Sequence, residues 1–242
     1  MPNSATKTNL SIILGGLEAS TEVLEVLFTL HANFLTANDS FGGSATAAEN
    51  VRIYTAPDPN KCVLLHIILR ATEARFVVEA GSSFGTRTIY LALAVTQNVA
   101  KHNADASKKV VDGGVLATEA DPLKVAVARR PWNAAGEEIE GVIELREGDV
   151  RETLKTGLPE HVDFLLLDTY LVHATLALSA FHLVLPHLKI GAMVVVDNID
   201  SANQEYQELM TYMRDPANGF RFQTGLYSGD LLVAHYVGSE TH

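Results

Sequence analysis

The chain has 242 residues, of which 47% are hydrophobic, and a formal net charge of −11. This length and hydrophobic content suit one sizeable domain with a continuous core better than two small domains. The negative charge and the lack of a block rich in Lys and Arg argue against a nucleic acid partner. Cys62 is the only cysteine, which excludes an intrachain disulfide and is consistent with a reducing compartment.

The sequence predicts neither a membrane span nor a secretory signal. The longest apolar-rich segment, residues 175–188, is interrupted by His182, Pro186 and His187 and is too short to cross a bilayer. The N-terminus has one Lys, no Arg and no clear cleavage site after an apolar segment. We therefore expect an intracellular, cytoplasmic protein without a membrane partner, and a mitochondrial location is the alternative.

The first predicted element is an amphipathic helix over residues 21–35. The apolar side chains on its predicted face follow i, i+3, i+4, i+7 spacing, and they are Val23, Val26, Leu27, Leu30 and Phe34. We expect this face to pack against the core, with a lid over the substrate or a dimer contact as alternatives. Residues 38–50 and 54–62 concentrate Gly, Ser, Asn and Pro without periodicity and are predicted to be loops or mobile cover.

The remainder of the chain alternates between apolar strands and helical stretches. The predicted strands are RFVVEAG, GVLATEA, VIELREG, VDFLLLD, AMVVVDN, RFQTGLY and LLVAHYV. Near-continuous apolar strands separated by helices are typical of a parallel sheet that is covered on both faces. The last two strands are separated only by SGD, which is too short for a crossover and predicts a hairpin. We therefore predict a doubly wound, Rossmann-like α/β domain with a mostly parallel, seven-stranded sheet and an antiparallel last strand.

Two further segments have local predictions. Residues 97–113 are polar and lack a clear helical face, so we predict an extended surface loop between the first helix of this alternating region and its second strand. Trp132 follows Arg-Arg-Pro and is expected to lie at the surface.

The residues that carry chemistry are expected where the apolar strands end, because open α/β sheets bind ligands beyond the carboxyl ends of their strands. Gly81 and Gly85 lie in a strand-to-helix turn, which either lets a ligand approach the backbone or is simply a tight turn. Glu119 ends the second strand and could bind both hydroxyls of a ribose, or could be a solvated strand end. The turn lacks the G-x-G-x-x-G spacing, which makes NAD less favoured than another nucleoside ligand.

Three oxygen-bearing side chains follow two other strands. Asp168 ends one apolar run, and Asp197 and Asn198 end another. Two carboxylates and an amide oxygen are ligands suited to a hard cation such as Mg²⁺. The alternative is that Asp168 caps the next helix and Asp197 only reaches water. The three residues together favour the metal site.

These strand ends together resemble a known family. The motifs are EAGSSFG at residues 79–85, TEAD with Glu119, REGD with Asp149, LLLD with Asp168, and VVVDN with Asp197 and Asn198. They resemble class I S-adenosylmethionine (SAM)-dependent methyltransferases, and among them the cation-dependent catechol and caffeoyl-CoA type O-methyltransferases, particularly the short fungal and bacterial members. The resemblance covers about residues 60–238. It implies an N-terminal helix and loop cover over residues 1–60 and a methyltransferase domain over residues 61–242, within a single compact domain.

The resemblance also implies which residues hold the cofactor. Glu79 and Gly81 would line its methionine and ribose side, and Glu119 would bind the ribose hydroxyls. Asp149 and Val150 would border the adenine, and Gly85 and Asp168 would complete the cofactor site.

One position departs from the family pattern. Where the catechol enzymes have a Ser that holds the carboxylate of the cofactor, this chain has Thr86 and then Arg87. Arg87 could pair with that carboxylate, Thr86 could replace the Ser, or the site could be weakened.

The implied reaction is methyl transfer from SAM to a hydroxyl of a catechol-like substrate, a small aromatic molecule with adjacent hydroxyls. A phenol with a pKa near 10 is a poor nucleophile at neutral pH, and a divalent cation, expected to be Mg²⁺, would stabilise the phenolate at Asp168, Asp197 and Asn198. The family has a Lys as general base three residues after the first metal Asp, where this chain has Leu171. His173 is the candidate base, with a purely structural His, or a reaction without a dedicated base, as alternatives.

Other readings of the whole chain remain open at this point. Members of the family often form dimers, so a homodimer is a further expectation. The alternative functions are an NAD-dependent oxidoreductase and a catalytically inactive SAM-binding protein.

Overall fold

The computed structural model describes residues 4–41, 57–168, 174–199, 204–226 and 231–239. The helices in these ranges are α1 (Ser4–Leu14), α2 (Thr21–Phe41), α3 (Pro59–Ala71), α4 (Thr86–Asn103), α5 (Pro122–Ala134), α6 (Glu137–Glu140), α7 (Val150–Thr153), α8 (Ala174–Val184) and α9 (Gln204–Arg214). The strands are β1 (Phe76–Ala80), β2 (Gly114–Glu119), β3 (Ile143–Glu147), β4 (Val162–Leu167), β5 (Leu188–Asp197), β6 (Phe220–Leu226) and β7 (Leu231–Tyr236).

The strands form one seven-stranded sheet in the order β3-β2-β1-β4-β5-β7-β6. Neighbours among β1 to β5 pair in parallel, whereas β7 is antiparallel to both β5 and β6. The predicted doubly wound α/β fold with a reversed last strand is therefore confirmed. Because β1 to β5 are parallel, their carboxyl ends meet along one edge of the sheet.

Helices cover both faces of the sheet, and successive strand residues point to opposite faces. On one face, Phe164 and Leu166 of β4 pack in a core that includes Leu27 of α2 and Leu65 of α3. On the other face, Leu165 and Leu167 of β4 pack in a second core with Phe181 of α8 and Leu209 of α9. Val162 also packs in this second core, because the strand has an irregularity between Val162 and Phe164. Burial on both faces explains why the central strands are mostly apolar.

The N-terminal helices belong to the first of these cores. Val23 and Leu27 of α2 are fully buried, which agrees with core packing as the main use of the predicted apolar face. The prediction of a loop over residues 54–62 is wrong in its last part, because α3 begins at Pro59. Asp58 caps this helix by accepting a hydrogen bond of 2.8 Å from the backbone N–H of Asn60, and Pro59 has a backbone angle that suits the first helical position.

The predicted surface loop over residues 97–113 is also partly wrong, since α4 continues to Asn103. The buried amide of Asn98 donates hydrogen bonds to the carbonyl oxygens of Leu69 at 2.9 Å and Ala74 at 2.8 Å. These contacts stabilise a helical turn whose polar sequence shows no apolar face. The pattern failed here because a polar side chain, rather than an apolar one, faces the interior.

In the described parts of the chain, no helix is both long and apolar enough to cross a membrane.

Candidate active site

The turn between β1 and α4 is closely packed at both of its positive-φ glycines. Gly81 and Gly85 have φ angles of 94° and 75°, in the region that favours glycine. A Cβ atom at Gly81 would collide with the backbone carbonyl oxygen of Asp168, and one at Gly85 would lie 2.6 Å from the indole nitrogen of Trp132. Both positions therefore require glycine for conformation and for space.

Trp132 packs against this turn. Its predicted position at the surface is wrong. Its side chain is buried, and Nε1 donates a hydrogen bond of 2.8 Å to the carbonyl oxygen of Gly85. The sequence carried a usable signal, because Val125, Ala128 and Trp132 lie at i, i+3 and i+7 on the buried face of α5.

The carboxylate of Glu119 lies beside the same turn. Its Oε2 accepts a hydrogen bond of 2.8 Å from the backbone N–H of Ser83, and its Oε1 accepts one of 2.8 Å from that of Asp121. Two backbone donors fix the direction of the carboxylate, and each oxygen retains a further lone pair. The residue is therefore oriented and still able to accept hydrogen bonds from two adjacent hydroxyls.

Glu79 and Ser82 place buried polar atoms without hydrogen-bond partners close to the turn. The Oε2 atom of Glu79 accepts a 2.6 Å hydrogen bond from Thr88, whereas its Oε1 atom and the Ser82 hydroxyl have none among the described residues. Burial raises the pKa of Glu79 to about 7. Buried polar groups normally find a partner, so these atoms favour a polar ligand here.

The N-terminus of α4 supports the same interpretation. Its N-cap is Gly85, which supplies no side-chain hydrogen bond to the first turn. Free backbone N–H groups at a helix N-terminus bind anions such as a carboxylate. Together with Glu79 and Ser82, this end of the helix fits the amino and carboxylate groups of an amino-acid ligand.

Asp149 and Val150 lie at the start of α7, after β3. Asp149 caps α7 by accepting a hydrogen bond of 2.8 Å from the backbone N–H of Arg151, and Val150 is buried. The preceding Gly148 donates its backbone N–H to the carbonyl oxygen of Glu119 at 2.9 Å. The residues predicted to border the adenine are thus linked to the residue predicted to bind the ribose.

The three predicted metal ligands lie together at the ends of β4 and β5. The side-chain nitrogen of Asn198 donates a hydrogen bond of 2.6 Å to Oδ1 of Asp168. The backbone N–H of Asn198 donates a hydrogen bond of 2.9 Å to Oδ1 of Asp197. The sequence correctly placed the three side chains in one cluster, but Asn198 presents its amide nitrogen, not its oxygen, to Asp168.

Two buried cations occupy this acidic cluster. Nη2 of Arg87 lies 2.8 Å from Oδ2 of Asp197, and Nη1 pairs with Oδ2 of Asp168. Nζ of Lys61 donates a hydrogen bond of 2.8 Å to Oδ1 of Asp197. The side chains of Arg87 and Lys61 are only 7% and 10% exposed. Sequence reasoning missed Lys61, because residues 54–62 were predicted to form a loop.

The charges of Arg87 and Asp168 depend on each other. Burial lowers the pKa of the Arg87 guanidinium, whereas the carboxylates of Asp168 and Asp197 raise it. The net pKa shift is upwards. Burial raises the pKa of Asp168 above its ordinary value, and the nearby Arg87 offsets only part of that rise. Arg87 is therefore a permanent cation that stabilises the ionised form of Asp168.

This arrangement does not fit a resident divalent cation as it stands. Among the described residues, the predicted set offers two carboxylates and one amide, and each carboxylate is already paired with a cationic side chain. The two carboxylates carry two negative charges, and Arg87 and Lys61 already balance them. Arg87 is also engaged by both of these acids. The candidate base His173, together with Tyr170 and Leu171, lies outside the described residues.

A profile of the family described as "Methyltransferase domain" matches residues 78–199, which is half of the chain. The match begins in β1 and ends just after Asp197 and Asn198, so it spans the glycine turn, Glu119 and the acidic cluster. No curated protein matches the sequence at a significant level.

Solved structures share the fold over nearly the whole chain. The O-methyltransferase of Bacillus cereus in complex with SAH is 17% identical, covers 97% of each chain and has a TM-score of 0.63. The O-methyltransferase TomG of Streptomyces achromogenes, involved in tomaymycin synthesis and in complex with SAM, is 18% identical. It covers 98% of this chain and 100% of its own, with a TM-score of 0.63. The SAH-bound methyltransferase PaMTH1 of Podospora anserina is 12% identical, covers 98% of this chain and 97% of its own, and has a TM-score of 0.61.

Proposed function

The chain belongs to the methyltransferase-domain family, and we propose that it is a SAM-dependent O-methyltransferase that acts on a small aromatic hydroxyl compound. The observation that carries the proposal is the match to the family profile over residues 78–199, a span that includes the glycine turn and Glu119. The SAM and SAH complexes of proteins with the same fold support the choice of cofactor.

The residues at the sheet edge fit SAM in chemical type. The oriented carboxylate of Glu119 would accept hydrogen bonds from the ribose hydroxyls, and Asp149 and Val150 would flank the base. The unpartnered Oε1 atom of Glu79 and the hydroxyl of Ser82 would face the amino-acid end. The open N-terminus of α4 would receive its carboxylate.

When bound, SAM supplies a methyl group on a positively charged sulfur for in-line transfer to a nucleophile. The work left to the protein is to hold the acceptor hydroxyl close to that methyl group and to favour loss of its proton. The acidic cluster and Arg87 lie at the end of β4, where the backbone carbonyl of Asp168 touches Gly81 of the cofactor turn. An acceptor beside this cluster would therefore be adjacent to the cofactor.

We propose a catechol-like acceptor, because a phenolic hydroxyl can lose its proton most easily where a buried cation stabilises the phenolate. The order of the strand-end motifs and the neighbouring Asp168 and Arg87 support this choice. Asp168 can accept a hydrogen bond from a second, adjacent hydroxyl. The divalent cation predicted for the same residues does not fit their present charge balance, so no step of this reaction is assigned to it.

Titration calorimetry with SAM and with NAD tests the cofactor assignment. We expect SAM to bind and NAD not to bind. Glu119→Gln should weaken SAM at least about tenfold, because hydrogen bonds to a charged group contribute roughly 1.5–3 kcal/mol. Glu147→Gln is the control, since Glu147 is exposed at the end of β3 and pairs only with Arg129 across 3.1 Å among the described contacts. Binding of NAD but not SAM would instead support an oxidoreductase.

A transfer assay with SAM carrying a labelled methyl group, run on a panel of catechols, tests the reaction itself. Label in the ether product is the expected result. SAM binding without transfer to any phenol would contradict the O-methyltransferase assignment and favour a binding protein that lacks catalysis.

A further inference from the structure

We propose that Arg87, together with Lys61, takes the place of a divalent cation between Asp168 and Asp197, so that this site binds no such cation. The consequence for the reaction rests on the proposed function: methyl transfer does not depend on a divalent metal. Arg87 and Lys61 are adjacent to the two acids in space but far from them in the sequence.

The charges of the cluster sum to zero without a metal. Asp168 and Asp197 contribute two negative charges, and Arg87 and Lys61 contribute two positive ones, with all four side chains buried or nearly so. The two acids attract a dication only if their charges are uncompensated, and here the fixed cations would repel it at short range.

Each carboxylate oxygen of the cluster also already has an N–H or cationic partner. Oδ1 of Asp168 accepts from the Asn198 side chain, and its Oδ2 pairs with Arg87. Oδ1 of Asp197 accepts from Lys61 and from the backbone N–H of Asn198, and its Oδ2 accepts from Arg87. Mg²⁺ requires near-octahedral oxygen ligands at about 2.1 Å, which these donors prevent from assembling.

Displacement of Arg87 by an incoming metal is unfavourable because of its surroundings. Arg87 lies in the first turn of α4, 6% exposed, between the acids and the buried thiol of Cys62, which also interacts with it. If the guanidinium lost its contacts with the carboxylates, it would remain buried without a counter-charge. An uncompensated buried charge strongly destabilises the folded protein.

Arg87 can also supply the electrostatic contribution that a metal would otherwise make. Its Nε atom has no hydrogen-bond partner among the described residues, although it is buried. The charge of this fixed guanidinium stabilises a nearby developing oxyanion, and it does so without the proton exchange or ligand exchange of a bound metal. The phenolate oxygen of an acceptor is an anion of this kind.

The first test uses the wild-type chain, freed of metal with EDTA and titrated with Mn²⁺, with free Mn²⁺ measured by electron paramagnetic resonance. We expect no Mn²⁺ bound at millimolar concentration and no change in melting temperature. One Mn²⁺ bound per chain in the wild type, and lost in Asp168→Asn, would overturn the inference. SAM calorimetry on the same sample tests the proposed function separately, because the Mn²⁺ titration needs neither cofactor nor turnover.

The second test removes the two cations. Lys61→Met together with Arg87→Met leaves both acids uncompensated, and we expect this variant to bind one Mn²⁺ at least about tenfold more tightly than the wild type. Mn²⁺ should also raise its melting temperature, and adding Asp168→Asn should abolish both effects. Arg129→Met, which removes an exposed cation, is the matched control and should gain neither effect.

A folded double variant without an Mn²⁺ site would contradict the replacement of a metal by Arg87 and Lys61. If the double variant folds only when Mn²⁺ is present, as judged by circular dichroism, that result supports the inference. Should it fold under neither condition, the wild-type titration still decides. Where methyl transfer is observed, EDTA should leave its rate within about twofold of the untreated rate, and loss of transfer in EDTA that Mg²⁺ restores would overturn the inference.

Discussion

Arg87 and Asp197 form a buried ion pair in which Nη2 and Oδ2 are 2.8 Å apart, although 110 residues separate them in the sequence. The pair connects the first turn of α4 to the end of β5. The guanidinium of Arg87 also contacts Asp168 at the end of β4. Because the same guanidinium contacts both acids, it determines whether they act as metal ligands or as partners of a fixed cation. Arg87 is therefore the residue on which stability and chemistry at this sheet edge both depend.

The first prediction concerns the stability that this pair provides. Arg87→Met should lower the free energy of unfolding by about 3–5 kcal/mol, because it leaves two buried carboxylates with too little positive charge. Urea denaturation without divalent cations measures the effect. Arg129→Met removes an exposed partner of Glu147 and should cost no more than about 1 kcal/mol. An equal decrease in the free energy of unfolding in the two variants would show that the buried Arg87 pair stabilises the fold no more than the exposed Arg129 pair.

The second prediction concerns the space at Gly81. Gly81→Ala adds a Cβ that collides with the carbonyl oxygen of Asp168, whereas Gly136 has a similar φ of 101° and nothing within 4 Å of an added Cβ. Both variants have the strain of a positive φ, so the difference between them isolates the collision. We expect Gly81→Ala to be about 1–3 kcal/mol less stable than Gly136→Ala in thermal unfolding. It should also bind SAM more weakly, and unchanged SAM affinity would argue against the turn as the cofactor site.

The third prediction concerns the support that Trp132 gives to the same turn. Trp132→Phe keeps an aromatic ring but loses the hydrogen bond to the Gly85 carbonyl, which should cost about 1 kcal/mol of stability. Trp132→Ala should cost about 3–5 kcal/mol because it also opens a cavity. Circular dichroism during denaturation measures both. Near-wild-type stability of the Ala variant would show that the indole does not support the turn.

The fourth prediction concerns pH. The pKa of Glu79 rises from 4.5 to about 7 on folding, so between these values the folded chain binds a proton that the unfolded chain has lost. Glu79 therefore makes stability fall as pH rises through this window, by roughly 3 kcal/mol in total at about 1.36 kcal/mol per pKa unit. Glu79→Gln should remove this contribution, so its stability relative to the wild type should increase between pH 4.5 and pH 8.

Denaturation of the cofactor-free protein at several pH values measures this difference. Glu138→Gln, at an exposed position of α6, is the control. A Glu79→Gln variant whose stability follows that of the wild type at every pH would contradict the raised pKa.

The fifth prediction concerns His173. If His173 accepts the proton of the acceptor hydroxyl, His173→Ala should lower kcat on the order of a hundredfold, because general-base catalysis typically contributes that much or more. Affinity for SAM should not change. A reduction below about tenfold would favour the alternative in which the proton passes to water, with Arg87 stabilising the phenolate.

Several features of the fold follow from local sequence. The apolar runs, the helical spacing of residues such as Val23 and Leu27, and the short SGD connection predicted the sheet and its reversed last strand. The sequence also predicted that Asp168, Asp197 and Asn198 would lie together, because parallel strands end at one edge. These predictions held because they depend on strand periodicity and on a general property of parallel sheets.

Other features failed where a tertiary contact overrode local composition. The helix α3 begins within a segment that looks like a loop, and it brings Lys61 to Asp197 across 136 residues. The polar end of α4 is helical because Asn98 donates hydrogen bonds to the carbonyl oxygen of Leu69 in the last turn of α3 and to that of Ala74 between α3 and β1. Neither contact produces a periodic pattern of residues that could be recognised in the sequence.

Local sequence is enough to specify where the strands end and which acids follow them, because strand burial and turn chemistry act over a few residues. The contacts of Arg87 and Lys61 with those acids arise only from the packing of the folded chain. An ion pair forms when folding brings charges together at short range, and no local pattern specifies which distant cation a carboxylate will meet. The same two aspartates could hold a metal or a guanidinium, and the packing of α3 and α4 on the sheet selects the guanidinium.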